Sequence, residues 1–173
     1  MKRILALLAL AAPLAAVPIA FGADSNPDAS FYKKAAEGGI FEVEAGSQAQ
    51  QKGSSQPVKD FAAMMVKDHT AANDKLTSIA ASKNITLPTS ASVGQMAVKT
   101  KLDVLSGDTY DKSYILGQIK AHKETAALFN KEIASGQDAD AKAFATATLP
   151  TVKQHLKAAR KIAADAGYLT KGN

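Results

Sequence analysis

Apolar and small residues recur at spacings of three and four along most of this chain, the repeat of a helix with one buried face. Phe31, Ala35, Gly38, Glu42, Ala45 and Ala49 define such a face and predict a first helix over about 29–52, with Asp28 or Ser30 as its cap. Gly38 and Gly39 lower helix propensity there, so a neighbouring helix is expected to approach closely. Gly53-Ser54-Ser55 is a short turn, and Pro57 stands in the first turn of a second helix, where its missing N–H does no harm. That helix is predicted to run to about Ala81, with Val58, Phe61, Met65, His69, Ala72 and Leu76 on its inner face. The short turn makes the two helices an antiparallel pair.

From Ser82 to Gly107 the pattern weakens. Leu87-Pro88 stops the helix, and Met96, Val98, Leu102 and Leu105 predict only a short helical piece around 95–105. A connection this long can cross the length of a bundle. Periodicity returns over about 108–135, where Ile115, Gln118, His122, Ala126 and Phe129 share a face. Asp108 is its expected cap, and Asp111 places a negative charge in its first turn. Gly136 ends that helix, and a last one is predicted over about 138–166, with Phe144, Val152, His155, Ala159 and Ile162 inward. Pro150 lies inside it, frees the carbonyl of Thr146 and predicts a kink. The sum is an all-α fold: a four-helix bundle over 29–167, made of two antiparallel hairpins joined by a long crossover containing a short helix.

Composition adds the compartment. Lys2 and Arg3, the apolar run Ile4–Ala16 and the small residues Ala20 and Gly22 read as a secretory signal peptide over 1–22. Residues 23–28 follow as a polar leader, and 168–173 are expected to fray. The protein is therefore expected to be bacterial, periplasmic or secreted, with no membrane span in the mature chain. The chain has no cysteine, which excludes a lipid-anchored lipoprotein and any stabilising disulfide. With 46% hydrophobic but only 6% aromatic residues, the helices must pack closely through alanine and other small side chains. The formal net charge of +5 includes Lys2 and Arg3, and the remaining lysines are interleaved with acids, so nucleic acid is not an expected partner. Neither a protein partner nor an oligomeric state can be read from the chain.

The chemistry sits on three phrases: Val66-Lys67-Asp68-His69, Ile119-Lys120-Ala121-His122 and Val152-Lys153-Gln154-His155, which hold all 3 histidines. The apolar residue three before each histidine shares its face, and the lysine two before points to water. Counted from turns centred at 54 and 137, Glu42 and His69 lie 12 and 15 residues away, and His122 and His155 lie 15 and 18 away. Each pair is then offset by only about 4.5 Å along its hairpin. One inward polar residue per helix converges near the bundle midplane. Glu42, His69, His122 and His155 are thus candidate ligands for one transition metal ion (zinc, iron or copper), with Asp68 as a candidate to orient a histidine from behind. No catalytic residues are assigned: no nucleophile is paired with a histidine and an acid by a recognisable motif, and no phosphate-binding glycine loop occurs.

The run Phe31…Ala35…Gly38-Gly39…Glu42-Val43-Glu44, then Val58-Lys59…Phe61-Ala62…Met65…Asp68-His69, resembles the bacterial family called domain of unknown function 4142. So do Leu105-Ser106-Gly107…Tyr110-Asp111…Tyr114, His122, and Leu149-Pro150…His155-Leu156. The resemblance covers about 29–165 and implies an exported protein in a branch of the ferritin-like bundles; it implies no activity. The chain departs from the di-iron ferritin pattern, because Val66, Ile119 and Val152 stand where Glu-x-x-His would need glutamates. Two readings follow: an exported binding protein with a mononuclear Glu/His metal site, serving metal handling or envelope stress protection, or a metal-free structural or interaction module with a pH-sensitive histidine layer. A metal-dependent oxidoreductase ranks third, since it needs an open coordination position.

Overall fold

A computed structural model describes residues 26–169; the segment 1–22 expected to be a signal peptide, residues 23–25 of the expected leader and the tail beyond 169 lie outside the described residues. The described residues contain five helices and no strand: α1 (Ala29–Lys52), α2 (Gln56–Ser82), α3 (Val93–Asp103), α4 (Gly107–Ser135) and α5 (Ala139–Asp165). α1 pairs with α2 and α4 with α5, and the two hairpins then pack α1 against α4 and α2 against α5. The short helix α3 belongs to the crossover and lies against α1 and α4. The fold is therefore the expected four-helix bundle with a helical crossover.

Helix packing follows the small residues, and of the glycine pair Gly38 and Gly39 only Gly39 packs against α2. On α1 the buried positions include Ala36, Gly39, Ala45, Gly46 and Ala49, whereas Ala35 and Gly38 are only half-buried. A Cβ on Gly39 would lie 1.8 Å from the Asn73 side-chain oxygen, and one on Gly46 would lie 3.1 Å from the Ala62 carbonyl. Gly46 lets α1 approach the backbone of α2, and Gly39 makes room for the Asn73 side chain of α2. Gly38 instead faces α3 at ordinary contact distance: the nearest atom to its Cβ position is the Gln95 side-chain amide nitrogen, 3.9 Å away. Phe31, Glu42, Ala45 and Ala49 are buried as expected, and the buried face of α1 is widened by Tyr32, Ala36, Gly39, Phe41 and Gly46.

Two acids fix how the hairpins meet, and neither caps its own helix. Asp28 is the N-cap residue of α1 without a side-chain capping bond. Its carboxylate instead accepts from the backbone N–H of Gln137, at 2.8 Å, and of Asp138, in the α4–α5 turn. Asp111, fully buried in the first turns of α4, accepts at 2.9, 2.8 and 2.9 Å from Ser54 N–H, the Ser54 hydroxyl and Ser55 N–H in the α1–α2 turn. Burial alone would raise the Asp111 carboxyl; the bonds from Ser54 and Ser55 outweigh it and hold the group below its usual value. The start of each hairpin thus clamps the turn of the other. This geometry sets α1 antiparallel to α4, so the crossover must run the length of the bundle from the end of α2 to the start of α4.

Other ends differ from expectation in detail. Ser106, not Asp108, is the N-cap of α4, and Asp108 accepts instead from the Tyr168 hydroxyl. α3 starts with a capping box, Ser92 and Gln95, that the serine-x-x-glutamine spacing spells out. Glu44 pairs with Lys99 at 2.9 Å, and Asp103 takes contacts from Gln48 and Lys52, tying α3 to α1. α5 runs unbroken through Pro150, which is exposed beside the exposed Thr146, so water can satisfy the freed carbonyl.

The core has two apolar parts. One gathers Phe41, Val58, Phe61, Met65, Tyr110, Ile115 and Ala159. The other gathers Phe31, Leu76, Phe129, Phe144 and Val152, with Phe31 edge-on to both Phe129 and Phe144. Along α2, α4 and α5 a buried histidine separates the two, His69, His122 and His155, and on α1 Glu42 lies beside Phe41 at the edge of the first part.

Asp111→Ala removes the acceptor of a charge-assisted clamp while leaving the apolar core intact. It should lower the unfolding free energy by roughly 2–3 kcal/mol. Urea denaturation should show a lower midpoint with an unchanged slope.

Candidate metal centre

Each histidine is delivered by an apolar neighbour on its own helix face: Met65 is fully buried one turn before His69, Ile119 is buried three residues before His122, and Val152 three before His155. Packing of these residues fixes the helix rotation that turns the imidazoles inward. The ring centroids stand 5.7 Å apart for His69–His122, 5.4 Å for His69–His155 and 5.4 Å for His122–His155, a nearly equilateral triangle. One nitrogen from each ring lies within 4.8 Å of the other two. The rings are 8%, 1% and 1% exposed for His69, His122 and His155, which closes the triangle to bulk water on most sides.

Hydrogen bonding assigns the protons. His122 Nδ1–H donates to the Gln118 carbonyl at 3.0 Å, so a neutral ring keeps its lone pair on Nε2. His155 Nε2–H donates to Asp68 Oδ2 at 2.9 Å, which leaves the lone pair on Nδ1. Those two free nitrogens, together with His69 Nε2, have no hydrogen-bond partner although all are buried. The arrangement is that of metal-ligating histidines, whose outer nitrogen is held by a carbonyl or carboxylate while the inner one faces the ion. Asp68 therefore sits behind His155, although it is only half-buried and neighbours the exposed Lys67.

Glu42 is buried, but it does not join the three nitrogens. Its Oε1 is 4.0 Å from His122 Nδ1, on the far side of that ring from Nε2, and its Oε2 accepts from Gln118 Nε2 at 2.6 Å. With His122 neutral, this is a contact and not an ion pair. The offset has a simple cause: α1 meets α4 through the Gln118 side chain, so the carboxylate stops one residue short of the triangle. Gln118 was legible as an inward residue of α4, one turn before His122. That its side chain holds Glu42 needs the packed helices, whereas the bond from His122 to its carbonyl is local to α4. Tyr114, another turn back, is 1% exposed and its hydroxyl has no partner.

Burial dominates the electrostatics. It pushes His69 down to about 3, with further repulsion from the other two rings. It pushes His122 down to about 4; the neighbouring His155 adds to this and the Gln118 carbonyl partly opposes it. His155 is also lowered by burial, against the pull of Asp68. At neutral pH all three rings are uncharged, the form that binds metals. Glu42 is pushed up to about 7 by burial, a rise limited by its bond from Gln118.

The chain matches the family described as domain of unknown function (DUF4142) over residues 15–162. It belongs to that family. Searches of the curated proteins and of the solved structures returned no match. The match spans all four long helices almost to the end of α5, so every residue of the histidine triangle lies inside the DUF4142 domain. Among the described residues, no helix is long and apolar enough to cross a membrane.

In metal-free protein the lowered histidines make stability depend on pH with a definite sign. An unfolded imidazole binds its proton near 6.5, and the folded ring resists it down to about 3 for His69. Their contribution is whole above about pH 6.5 and is lost as pH falls toward the folded values. Glu42 runs the other way: its folded carboxyl keeps a proton up to about 7 against 4.5 unfolded, so its burial costs stability that is recovered as pH falls. His69→Gln removes one imidazole and leaves the rest. The difference in unfolding free energy between wild type and this variant should change by up to about 1.4 kcal/mol per pH unit between pH 6 and 4. A pH-independent difference in urea denaturation would show that His69 is not held neutral.

Proposed function

We propose that this DUF4142 protein is an exported binding protein for one transition metal ion, held by His69 Nε2, His122 Nε2 and His155 Nδ1. What carries the reading is the set of three buried imidazole nitrogens, unpartnered and converging, two of them with their protons drawn to the outer side of the ring. A buried polar atom without a partner costs roughly 1–3 kcal/mol. In a metal-free polar layer the lone pairs of His122 Nε2 and His155 Nδ1 stand beside His69 Nε2 with no hydrogen-bond partner for any of the three, and an ion bound at the centre satisfies all three. Imidazole donors suit zinc, copper, iron and nickel. In a tetrahedral site with bonds of 2.0–2.1 Å the nitrogens would stand about 3.3 Å apart, so rings now within 4.8 Å must each move by less than about 1 Å.

Glu42 and Asp68 then serve as buried or half-buried counter-charges behind His122 and His155 rather than as ligands. The closed triangle favours metal handling in the bacterial envelope over oxidase chemistry, which needs a substrate route to the ion. Envelope stress protection follows as the physiological setting of such a sink for reactive metal.

Purified metal-free protein should take up one equivalent of zinc or cobalt(II) in a titration followed by calorimetry and by the cobalt absorption bands. His122→Gln should abolish that uptake. Asp68→Asn should weaken it by about 10–100-fold, as loss of a ligand-orienting carboxylate does. Glu42→Gln should leave the affinity within a few-fold, because Glu42 is not among the converging atoms. Binding of less than a tenth of an equivalent of every metal tried would overturn the reading.

A further inference from the structure

Two buried carboxyls meet at the end of the bundle opposite the Asp111 clamp. Asp28, 7% exposed, holds the α4–α5 turn through the N–H groups of Gln137 and Asp138. Glu132, 6% exposed in the last turn of α4, lies against the same turn, where a Cβ on Gly136 would collide with its Oε1. That oxygen is buried and has no hydrogen-bond partner. Among the described residues, neither carboxyl is in an ion pair. A carboxylate buried in this way is costly, whereas a neutral acid that donates to a neighbour is not.

The surrounding groups do not remedy the lack of a cation. Asp138, at the start of α5, adds a third negative charge, and Lys142 of α5 opposes it only in part. Lys83, at the end of α2, is already paired with Asp138 at 3.1 Å and with Asp140 at 2.9 Å. Tyr32 of α1 donates its hydroxyl to Asp138, at 3.1 Å. Glu132 is in hydrogen-bonding reach of Asp28. Two carboxyls placed so are stable with one proton between them, because both cannot ionise cheaply at contact.

We propose that Asp28 and Glu132 share one proton and act as a latch, which fastens the start of the first hairpin to the α4–α5 turn while the proton is held and loosens it when the proton leaves. Burial, then the charge of Asp28 and the bond to it, push Glu132 up to about 7, against 4.5 for an ordinary glutamate. The latch thus adds its full stability below about pH 4.5 and loses it as pH rises through about 7. Asp111 differs: the bonds from Ser54 and Ser55 hold it below its usual value, so the clamp at the other end stays closed over the same range. Glu132 stands about 15 Å along α4 from His122, and the latch is independent of metal binding by the histidines.

The test uses the metal-free full chain. Glu132→Gln keeps the shape and a donor but cannot ionise. The ratio of its folding equilibrium constant to that of the wild type should rise between about pH 5 and 7, by up to about tenfold per pH unit, and then level off. The ratio cancels the titration of Glu42, which both chains share. In the wild type the Gln137 and Asp138 amide protons should lose exchange protection, relative to those of Ser54 and Ser55, as pH rises from about 6 to 8. In Glu132→Gln they should keep it. Carbon-13 NMR of the wild-type Glu132 carboxyl, which needs no variant to fold, should show a midpoint near 7. A pH-independent ratio, a midpoint in the ordinary carboxylate range or unchanged relative protection in the wild type would each overturn the latch.

Discussion

Burying three imidazoles at one level of a helical bundle is the constraint that the rest of this structure answers to. Each ring must lose water, and burial accordingly drives His69 and His122 far below the usual histidine range. Neutral rings can be tolerated in an apolar interior, but their nitrogens still need partners. The bundle supplies them on the outer side only, through the Gln118 carbonyl and Asp68. The apolar core divides around this layer into a half containing Phe61 and Ile115 and a half containing Phe31 and Phe144. Each half packs well alone, so the layer between them can be polar without exposing the core.

Holding three rings from three helices at one height requires the hairpins to keep their register. The reciprocal clamps do this. Asp28 binds the turn of the second hairpin and Asp111 the turn of the first, so sliding one hairpin along the other would break bonds at both ends of the bundle. Gly46 adds a steric constraint within the first hairpin, since a Cβ there would lie 3.1 Å from the Ala62 carbonyl of α2. Together these contacts place the imidazoles within an ångström-scale displacement of a coordination geometry.

Gln118 links the two polar features of the molecule. Its main-chain carbonyl sets the His122 tautomer, its amide N–H holds Glu42, and the residue borders a cleft of about 790 Å³ between α1, α3 and α4. Glu42 has the same double position, behind His122 and beside the cleft. The triangle and the cleft are thus separated by one layer of side chains, with the histidines closed off by the same residues that line the cleft.

Much of this was legible in the chain itself. Repeats of three and four located all four long helices to within a residue or two, Gly53-Ser54-Ser55 and Gly136 marked both turns, and counting from those turns put His69, His122 and His155 at one height. Those features depend on local periodicity and on the constant rise of a helix, which one strand of sequence carries in full. Membership of the DUF4142 family was legible in the same way, from its scattered motifs. Tertiary structure alone decided which side of a neighbour each polar atom reaches. Height along a bundle does not specify rotation about each helix to better than one residue, and a carboxylate and an imidazole at one level can still stand on opposite sides of a ring. That is why Glu42 fell behind His122 and Gln118 took its place in the network. It is also why Asp28, a local cap by its position in the chain, and Asp111, a first-turn charge, became clamps on turns about a hundred and about sixty residues away.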